Sequence, residues 1–309
     1  MLIFWVAVFI VSLFVLVKGA DWLLASSEKI GLRIGLSPFV VGVTIVAFGT
    51  SLPELISSFV AVSRGVTEIV VANAVGSNIA NILLVVGISA IVGKRLVVSK
   101  DLIDLDLPLI ALSTAIFLLV AYDGSITFFE AMFLTVTYVI YLGFSLIYKD
   151  DEAGEKVKRP PIKTNDLLML VIGVVGLSVG AKFLIDAIVE LSGILNIGAG
   201  VIAITAVAIG TSLPELIVSV KAALRKQSEI ALGNVFGSNI FNLLAVVGLP
   251  GIFATLYIDE QIVALGLPVL LMATILFIIS GISRRIHVQE GALFLMLYVI
   301  FITKLFGLF

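Results

Sequence analysis

Long, continuously apolar stretches recur along this chain and are separated by short polar segments. Each stretch has roughly 20 residues, enough to cross a hydrocarbon core of about 30 Å as a helix. The apolar residues do not alternate with polar ones, which favours helices over the strands of a membrane barrel. The pattern predicts an all-α membrane protein with ten spans: 2–25, 38–63, 68–92, 103–121, 126–148, 166–190, 198–224, 229–256, 261–282 and 288–307.

Composition agrees with a protein embedded in a lipid bilayer. Of the 309 residues, 61% are hydrophobic and only 13% are charged, whereas a soluble domain carries about 25% charge. A large soluble helical core is the alternative, but too few polar residues remain to build its surface. The net charge of −2 indicates no particular partner, and the sequence has no basic block suited to binding nucleic acid. The absence of Cys excludes disulfides and thiol chemistry.

An eight-residue motif occurs twice in this chain. GTSLPELI occupies 49–56 and again 210–217, so the copies differ by 161 positions, as Glu54 and Glu215 do. At the same offset, NAVGSNIAN at 73–81 falls on NVFGSNIFN at 234–242. The chain is therefore a duplication, with a first repeat at 1–148, a charged linker at 149–164 and a second repeat at 165–309. Each repeat holds five spans, and an odd number predicts that the second repeat is inverted in the membrane.

The distribution of Lys and Arg predicts the orientation of the spans. With the N-terminus outside, the loops on the inner side hold nearly all basic residues that lie outside the spans, and the outer side holds only Arg64 and Lys304. Such a bias is typical of cytoplasmic loops. We expect a multi-pass protein of the cell membrane with both termini outside and the linker in the cytoplasm.

Both GTSLPELI copies combine a helix-breaking proline with a carboxylate inside an apolar span. Pro has no N–H, so it deprives the carbonyl four residues earlier of its partner and predicts Pro-broken helices 2 and 7. Helical spacing places small, hydroxyl and carboxyl residues on one face, namely Ala47, Thr50, Ser51 and Glu54, and in the second copy Ala208, Thr211, Ser212 and Glu215. These hard oxygen donors suit Na⁺ or Ca²⁺.

The spans that follow each motif carry a second polar stripe. Its residues recur every four positions, at Asn73, Ser77 and Asn81, and at Asn234, Ser238 and Asn242. Amides and hydroxyls there can complete the coordination of a cation. Each of these features, taken alone, is usually structural in a membrane helix. Pro can simply kink the helix, Ser or Thr can bond to a carbonyl of the preceding turn, and small residues can serve helix packing. Glu54 and Glu215 are different, because a carboxylate inside the membrane is costly and marks a functional site.

These motifs are similar to those of a known transporter family. G-T-S-L-P-E in spans 2 and 7, followed by G-S-N-I-x-N in spans 3 and 8, resembles the α-repeats of microbial Na⁺/Ca²⁺ exchangers in the cation/Ca²⁺ exchanger superfamily. The resemblance covers all ten spans and implies an ion pathway built by spans 2, 3, 7 and 8, across which the long spans 1 and 6 slide.

The resemblance also implies a set of ion ligands. It makes Glu54 and Glu215 the central acidic ligands. It adds hydroxyl ligands and carbonyl donors at Thr50, Ser51, Thr211, Ser212, Ser77, Ser238, Ala47 and Ala208. Sodium-coupled members often have Asp where this chain has Asn81 or Asn242. That departure bears on the coupling ion and leaves the calcium assignment unchanged.

The leading prediction is therefore a secondary active antiporter that exchanges Ca²⁺ for Na⁺ by alternating access. A Ca²⁺/H⁺ exchanger is the alternative within the superfamily, and a passive cation channel is an alternative from another class. An enzyme is not expected, because no nucleotide-binding motif and no nucleophile–base set occur in the sequence. We expect no cofactor and no obligatory protein partner, with Ca²⁺ and Na⁺ as the transported ions and H⁺ as the alternative coupling ion.

Overall fold

The computed structural model describes residues 1–97, 106–147, 163–194 and 210–307. Most of the 149–164 linker, the predicted starts of spans 4 and 7, and Ala208 lie outside these ranges. Within them the chain is mostly helical. The helices are α1 (Leu2–Ile34), α2 (Pro38–Ser63), α3 (Glu68–Val92), α4 (Asp106–Val120), α5 (Phe128–Ile147), α6 (Thr164–Ile194), α7 (Leu213–Leu224), α8 (Ser228–Gly251), α9 (Ile262–Ile282) and α10 (Val288–Leu305).

Eight of the described helices are long and apolar enough to cross a membrane. The other two, α4 and α7, have 15 and 12 residues and follow stretches outside the described ranges. The prediction of an all-helical membrane protein is confirmed, whereas the count of ten spans stays a prediction. Several bounds agree closely with the apolar pattern, since α2 and α3 match the predicted spans 38–63 and 68–92.

The helices form a buried centre surrounded by helices that expose apolar side chains. The most apolar window of α8 is fully buried, whereas only 17% of the residues in the corresponding window of α1 are buried. Large apolar side chains such as Phe14, Phe129 and Val139 are exposed on the outer helices. An outward apolar surface suits contact with lipid, and the inner helices α2, α3, α7 and α8 hold the candidate site.

The helix α2 continues through Pro53, so the predicted break in this helix is not confirmed. Residues Ala47–Ser63 form one α-helix that contains Pro53, and a π-helical turn precedes it at Gly42–Val46. A membrane helix tolerates Pro when neighbouring hydroxyls and helices satisfy the freed backbone groups. In the second repeat, α7 begins with Pro214 in its first turn, a position where the missing N–H has no helical partner to lose.

Two short strand pairs join the halves of the chain. The strands are β1 (Arg95–Val97), β2 (Ser125–Ile126), β3 (Leu256–Tyr257) and β4 (Arg285–His287), and β1 pairs with β4 as β2 pairs with β3.

The two pairs have the same register under the 161-residue offset. Arg95 lies opposite His287 in one pair, and their counterparts Leu256 and Ile126 lie opposite each other in the other pair. The same contact thus occurs twice, with the two halves of the chain exchanging roles. This is the pattern expected of an approximate two-fold axis between the halves.

The long helices α1 and α6 cross in backbone contact. A Cβ atom added to Gly19 would lie 2.8 Å from the Leu177 nitrogen, and one added to Gly180 would lie 2.8 Å from the Leu16 nitrogen. These two contacts are again equivalent under the 161-residue offset. Glycine is required because any side chain would separate the helices. With 33 and 31 residues, both helices exceed the roughly 20 needed to cross a bilayer, so we expect them to tilt.

Candidate ion-binding site

The candidate site lies where α2, α3, α7 and α8 meet, and close packing of α2 on α8 positions one side of it. A Cβ atom on Gly237 would lie 2.1 Å from the Val43 carbonyl oxygen, and one on Gly233 would lie 2.4 Å from the Phe39 carbonyl oxygen. Glycines at these positions of α8 therefore let the backbones touch. As a result, the hydroxyl-bearing face of α2 reaches the polar stripe of α8.

A carboxylate and two hydroxyls from both repeats meet at the centre. Ser51 Oγ on α2 donates a hydrogen bond to Glu215 Oε1 on α7 at 2.7 Å and lies 2.9 Å from Ser238 Oγ on α8. All three side chains are completely buried. A hydrogen bond to a carboxylate is roughly twice as strong as a neutral one. The first motif thus supplies a donor to the carboxylate of the second.

Thr50 extends this cluster towards α8. Its Oγ1 lies 3.1 Å from Asn234 Oδ1, 3.2 Å from the Ala47 carbonyl oxygen and 3.4 Å from Ser238 Oγ. The prediction that Ala47 places its carbonyl at this face is consistent with that contact. Oxygen atoms of α2 and α8 therefore lie within 3.4 Å of the Thr50 hydroxyl, and all of them belong to uncharged groups.

Glu54 has a different environment from Glu215. Its side chain is 1% exposed, and neither carboxylate oxygen has a hydrogen-bond partner within the described part of the chain. A buried carboxylate without a partner is strongly unfavourable, and a native structure compensates for it with a bound ion or water. These unpaired oxygens fit a cation.

Three further predicted ligands are buried without partners. Asn81 and Asn242 are fully buried, and neither their amide oxygens nor their nitrogens form a hydrogen bond to a described residue. The Ser212 hydroxyl and the second oxygen of Glu215 are likewise unpaired within the described ranges. Asn and Ser oxygens are neutral ligands that can complete the coordination shell of Ca²⁺ or Na⁺ without adding charge.

The remaining predicted ligands form a second contact between the repeats. Ser77 Oγ on α3 lies 3.0 Å from Thr211 Oγ1, which comes just before α7. Ser77 is buried, while Thr211 is exposed. Ala208, the last predicted ligand, lies outside the described residues. The structure therefore joins Thr50, Ser51, Glu215 and Ser238 in one cluster and Ser77 with Thr211 in another.

Three polar residues in the same region, Asn78, Asn239 and Ser219, were not among the predicted ligands. The Asn78 amide donates to the Asn239 carbonyl at 3.0 Å and links α3 to α8. Ser219 accepts a hydrogen bond from Asn234 at 3.0 Å. Each has an identical counterpart 161 positions away, because Asn78 matches Asn239 and Ser219 matches Ser58. A search for polar residues repeated inside apolar spans could have found them.

Comparison with known proteins identifies the family of this chain. The family described as "Sodium/calcium exchanger protein" matches residues 4–147 and 165–307. The chain is 36% identical to an uncharacterized membrane protein of Methanocaldococcus jannaschii, over 99% of each chain. It is 32% identical to the sodium/calcium exchanger MaX1 of Methanosarcina acetivorans, over 97% of each chain.

Solved structures give the same result. One structure of the sodium-calcium exchanger NCX_Mj, soaked with zero Na⁺ and Ca²⁺, superposes with a TM-score of 0.84 at 34% identity. The match covers 99% of this chain and all of that chain. The chain therefore belongs to the sodium/calcium exchanger family, and the predicted family is confirmed.

Proposed function

We propose that this protein is an antiporter that exchanges Ca²⁺ for Na⁺ across the cell membrane by alternating access. Membership of the exchanger family supports Ca²⁺ and Na⁺ as the exchanged ions and supports a transporter as the class of protein. The observation that carries the proposal is the buried cluster in which Ser51 of one repeat contacts Glu215 of the other, while the Glu54 carboxylate of the same motif as Ser51 is buried without a partner among the described residues. Transport of this kind needs no cofactor and no protein partner.

The proposed ion ligands are the oxygen donors predicted from the repeated motifs. Glu54 and Glu215 supply the negative charge, and neutral oxygens come from Ala47, Thr50, Ser51, Ser77, Asn81, Ala208, Thr211, Ser212, Ser238 and Asn242. When both carboxylates are ionised, their charge of −2 is neutralised by one Ca²⁺. Several Na⁺ ions can use the same oxygens and displace it. This competition for one set of ligands is the basis of exchange.

The proposed topology has ten spans in two inverted repeats, at 1–148 and 165–309, with the 149–164 linker in the cytoplasm and both termini outside. The repeated strand register and the repeated glycine crossing support the inverted relation. The charges near the two strand pairs support the orientation. Lys94, Arg95, Arg284 and Arg285 lie at or beside the β1–β4 pair, whereas Asp123 and Asp259 lie close in sequence to the β2–β3 pair.

The proposed motion uses α1 and α6 as a pair. These two helices contact each other through glycine backbones, and their outward surfaces are apolar. They can therefore move against lipid at little cost while α2, α3, α7 and α8 hold the ions. Access then alternates between the two sides of the membrane around a fixed site, as in other transporters with inverted repeats.

Reconstituted protein tests this proposal. Liposomes loaded with Na⁺ should take up ⁴⁵Ca²⁺ from a Na⁺-free medium, and liposomes with Na⁺ equal on both sides should not. The Glu54→Gln variant serves as the matched control and should show no uptake. Uptake driven by a pH gradient and indifferent to Na⁺ would identify a Ca²⁺/H⁺ exchanger instead. Flux without any counter-ion would identify a channel.

A further inference from the structure

A chain of buried hydrogen bonds leads from α7 through α8 to Thr50. The Asn234 amide nitrogen donates to Ser219 Oγ at 3.0 Å, and the Asn234 amide oxygen accepts from Thr50 Oγ1 at 3.1 Å. Ser219 in turn donates to the Ala231 carbonyl oxygen at 3.4 Å. The Thr50, Ser219 and Asn234 side chains are completely buried. This series of hydrogen bonds thus connects α2 of the first repeat with α7 and α8 of the second.

The Ala231 carbonyl, at the end farthest from Thr50, determines which atom donates in each of these hydrogen bonds. The Ala231 carbonyl can only accept, so the Ser219 proton is directed to it and the Ser219 oxygen is left to accept from Asn234. An amide that donates from its nitrogen to Ser219 presents its oxygen to Thr50. Thr50 Oγ1 then has two acceptors within reach of its single proton, Asn234 Oδ1 at 3.1 Å and the Ala47 carbonyl oxygen at 3.2 Å. Asn234 is the acceptor that remains when the Ala47 carbonyl coordinates the ion, as proposed above, and the lone pairs of Thr50 are then left for the ion.

This orientation is the one that a hydroxyl ligand of a cation requires. A hydroxyl coordinates a positive ion through a lone pair, and its proton must point away from the ion. Without Asn234, the hydroxyl turns its proton to the Ala47 carbonyl oxygen, which is itself a proposed ligand, so reorienting the hydroxyl on ion binding costs free energy. Pre-organised donors bind more tightly because that cost is already met in the protein.

Among the described residues, the equivalent series of hydrogen bonds is absent from the first repeat. Ser58 and Asn73 are the counterparts of Ser219 and Asn234 at the 161-residue offset. Ser58 is as deeply buried as Ser219, but its hydroxyl and the Asn73 amide nitrogen have no described hydrogen-bond partner. Identical residues in the two repeats are therefore bonded differently. The difference provides a matched control inside the same molecule.

We propose that Ser219 and Asn234 are positioning residues that orient the Thr50 hydroxyl for cation binding. This inference rests on the proposed role of Thr50 as an ion ligand. Neither residue needs to touch the ion, because each acts through the hydrogen bond that it makes. Their loss should weaken Ca²⁺ binding and leave the fold in place.

The first experiment compares Ser219→Ala with Ser58→Ala in reconstituted protein. Losing one hydrogen bond of this kind should raise the half-saturating Ca²⁺ concentration about three- to tenfold in Ser219→Ala. Ser58→Ala should change it less than twofold, and Ser219→Thr, which keeps the hydroxyl, should restore the wild-type value. Equal effects in the two Ala variants, or no effect in Ser219→Ala, would overturn the proposal.

A double-mutant cycle separates positioning from a general structural effect. In a Thr50→Val background the hydroxyl is absent, so adding Ser219→Ala should change ⁴⁵Ca²⁺ binding by less than twofold. Asn234→Ala should raise the half-saturating concentration in the wild-type background and add nothing to Thr50→Val. Additive losses would overturn the positioning role, because residues that act independently give additive effects. If Thr50→Val alone leaves Ca²⁺ binding unchanged, the ligand role of Thr50 fails instead.

Discussion

The two copies of GTSLPELI have the same sequence but different surroundings. In the second copy, Glu215 accepts a hydrogen bond from Ser51, whereas Glu54 of the first copy has no partner among the described residues. Thr50 is buried and bonded to Asn234, while its counterpart Thr211 is exposed and contacts Ser77. Since the local sequence is identical, the difference arises from tertiary packing. The chain carries the motif twice, and packing brings the two copies into contact in one candidate site with two unlike halves.

Charge removal at the two carboxylates should have the largest effect on transport. Glu54→Gln and Glu215→Gln should each abolish Na⁺-dependent ⁴⁵Ca²⁺ uptake, because one remaining carboxylate cannot neutralise Ca²⁺ in a buried site. The two variants should differ in stability without ions. Glu54→Gln removes an unpaired buried charge and should raise the melting temperature.

Glu215→Gln should gain less stability than Glu54→Gln. It also loses the charge-assisted hydrogen bond from Ser51, and such a bond contributes about 1.5–3 kcal/mol. Thermal unfolding of both variants in Na⁺- and Ca²⁺-free detergent measures the difference. Equal shifts would show that the two carboxylates have equivalent surroundings, contrary to the comparison above. Retained uptake in both variants would remove them from the site.

Separation of α2 from α8 should have the next largest effect. Gly237→Ala places a Cβ atom 2.1 Å from the Val43 carbonyl oxygen and 2.6 Å from the Ala47 Cβ. The helices must move apart, and overpacking of this kind costs about 1–3 kcal/mol. Because Thr50 and Ser51 move away from Ser238, Ca²⁺ uptake should fall at least tenfold.

Gly143→Ala on α5 is the matched control for this change, because an added Cβ there meets no described atom within 4 Å beyond its chain neighbours and the nearby backbone of its own helix. It should leave uptake and melting temperature close to wild type. Similar losses in the two variants would mean that the effect comes from replacing a helical glycine and not from the α2–α8 contact.

A salt-bridge cluster between α1 and α7 should have the smallest effect. Asp21 on α1 pairs with Lys221 at 2.6 Å and with Arg225, and the three side chains are 19–41% exposed. The counterparts of Asp21 and Lys221 in the other repeat are Lys182 and Val60, so the same pairing cannot form there. Asp21→Asn should lower stability by under about 1 kcal/mol, as for other partly exposed pairs.

The charge cluster also contacts the helix that is proposed to move. Asp21→Asn should therefore change the rate of Na⁺-driven ⁴⁵Ca²⁺ uptake about two- to threefold, since one contact between α1 and the fixed core is weakened. Lys182→Gln, at the equivalent position of α6, should leave the rate unchanged. A rate change of the same size in Lys182→Gln would contradict a specific role for the α1–α7 pair.

Much of the fold follows from the sequence, because apolar length and periodicity are local properties. The bounds of α2 and α3, the oxygen-bearing face around Glu54 and the duplication could all be predicted in this way. The docking of these faces could not be predicted, since periodicity places Ser51 on a face without saying that it bonds to Glu215. The course of α2 through Pro53 was also missed, because whether Pro breaks a membrane helix depends on its neighbours.

The central claim is that both repeats form a single Ca²⁺ site. Equilibrium dialysis of purified protein against ⁴⁵Ca²⁺ in Na⁺-free detergent tests it directly, with wild type, Glu54→Gln and Glu215→Gln measured at the same saturating concentration. A shared site predicts one bound Ca²⁺ per wild-type chain and none in either variant, since each carboxylate belongs to the same ion. Two bound Ca²⁺ in wild type with one retained in each variant would show that each repeat binds its own ion, and would contradict the account.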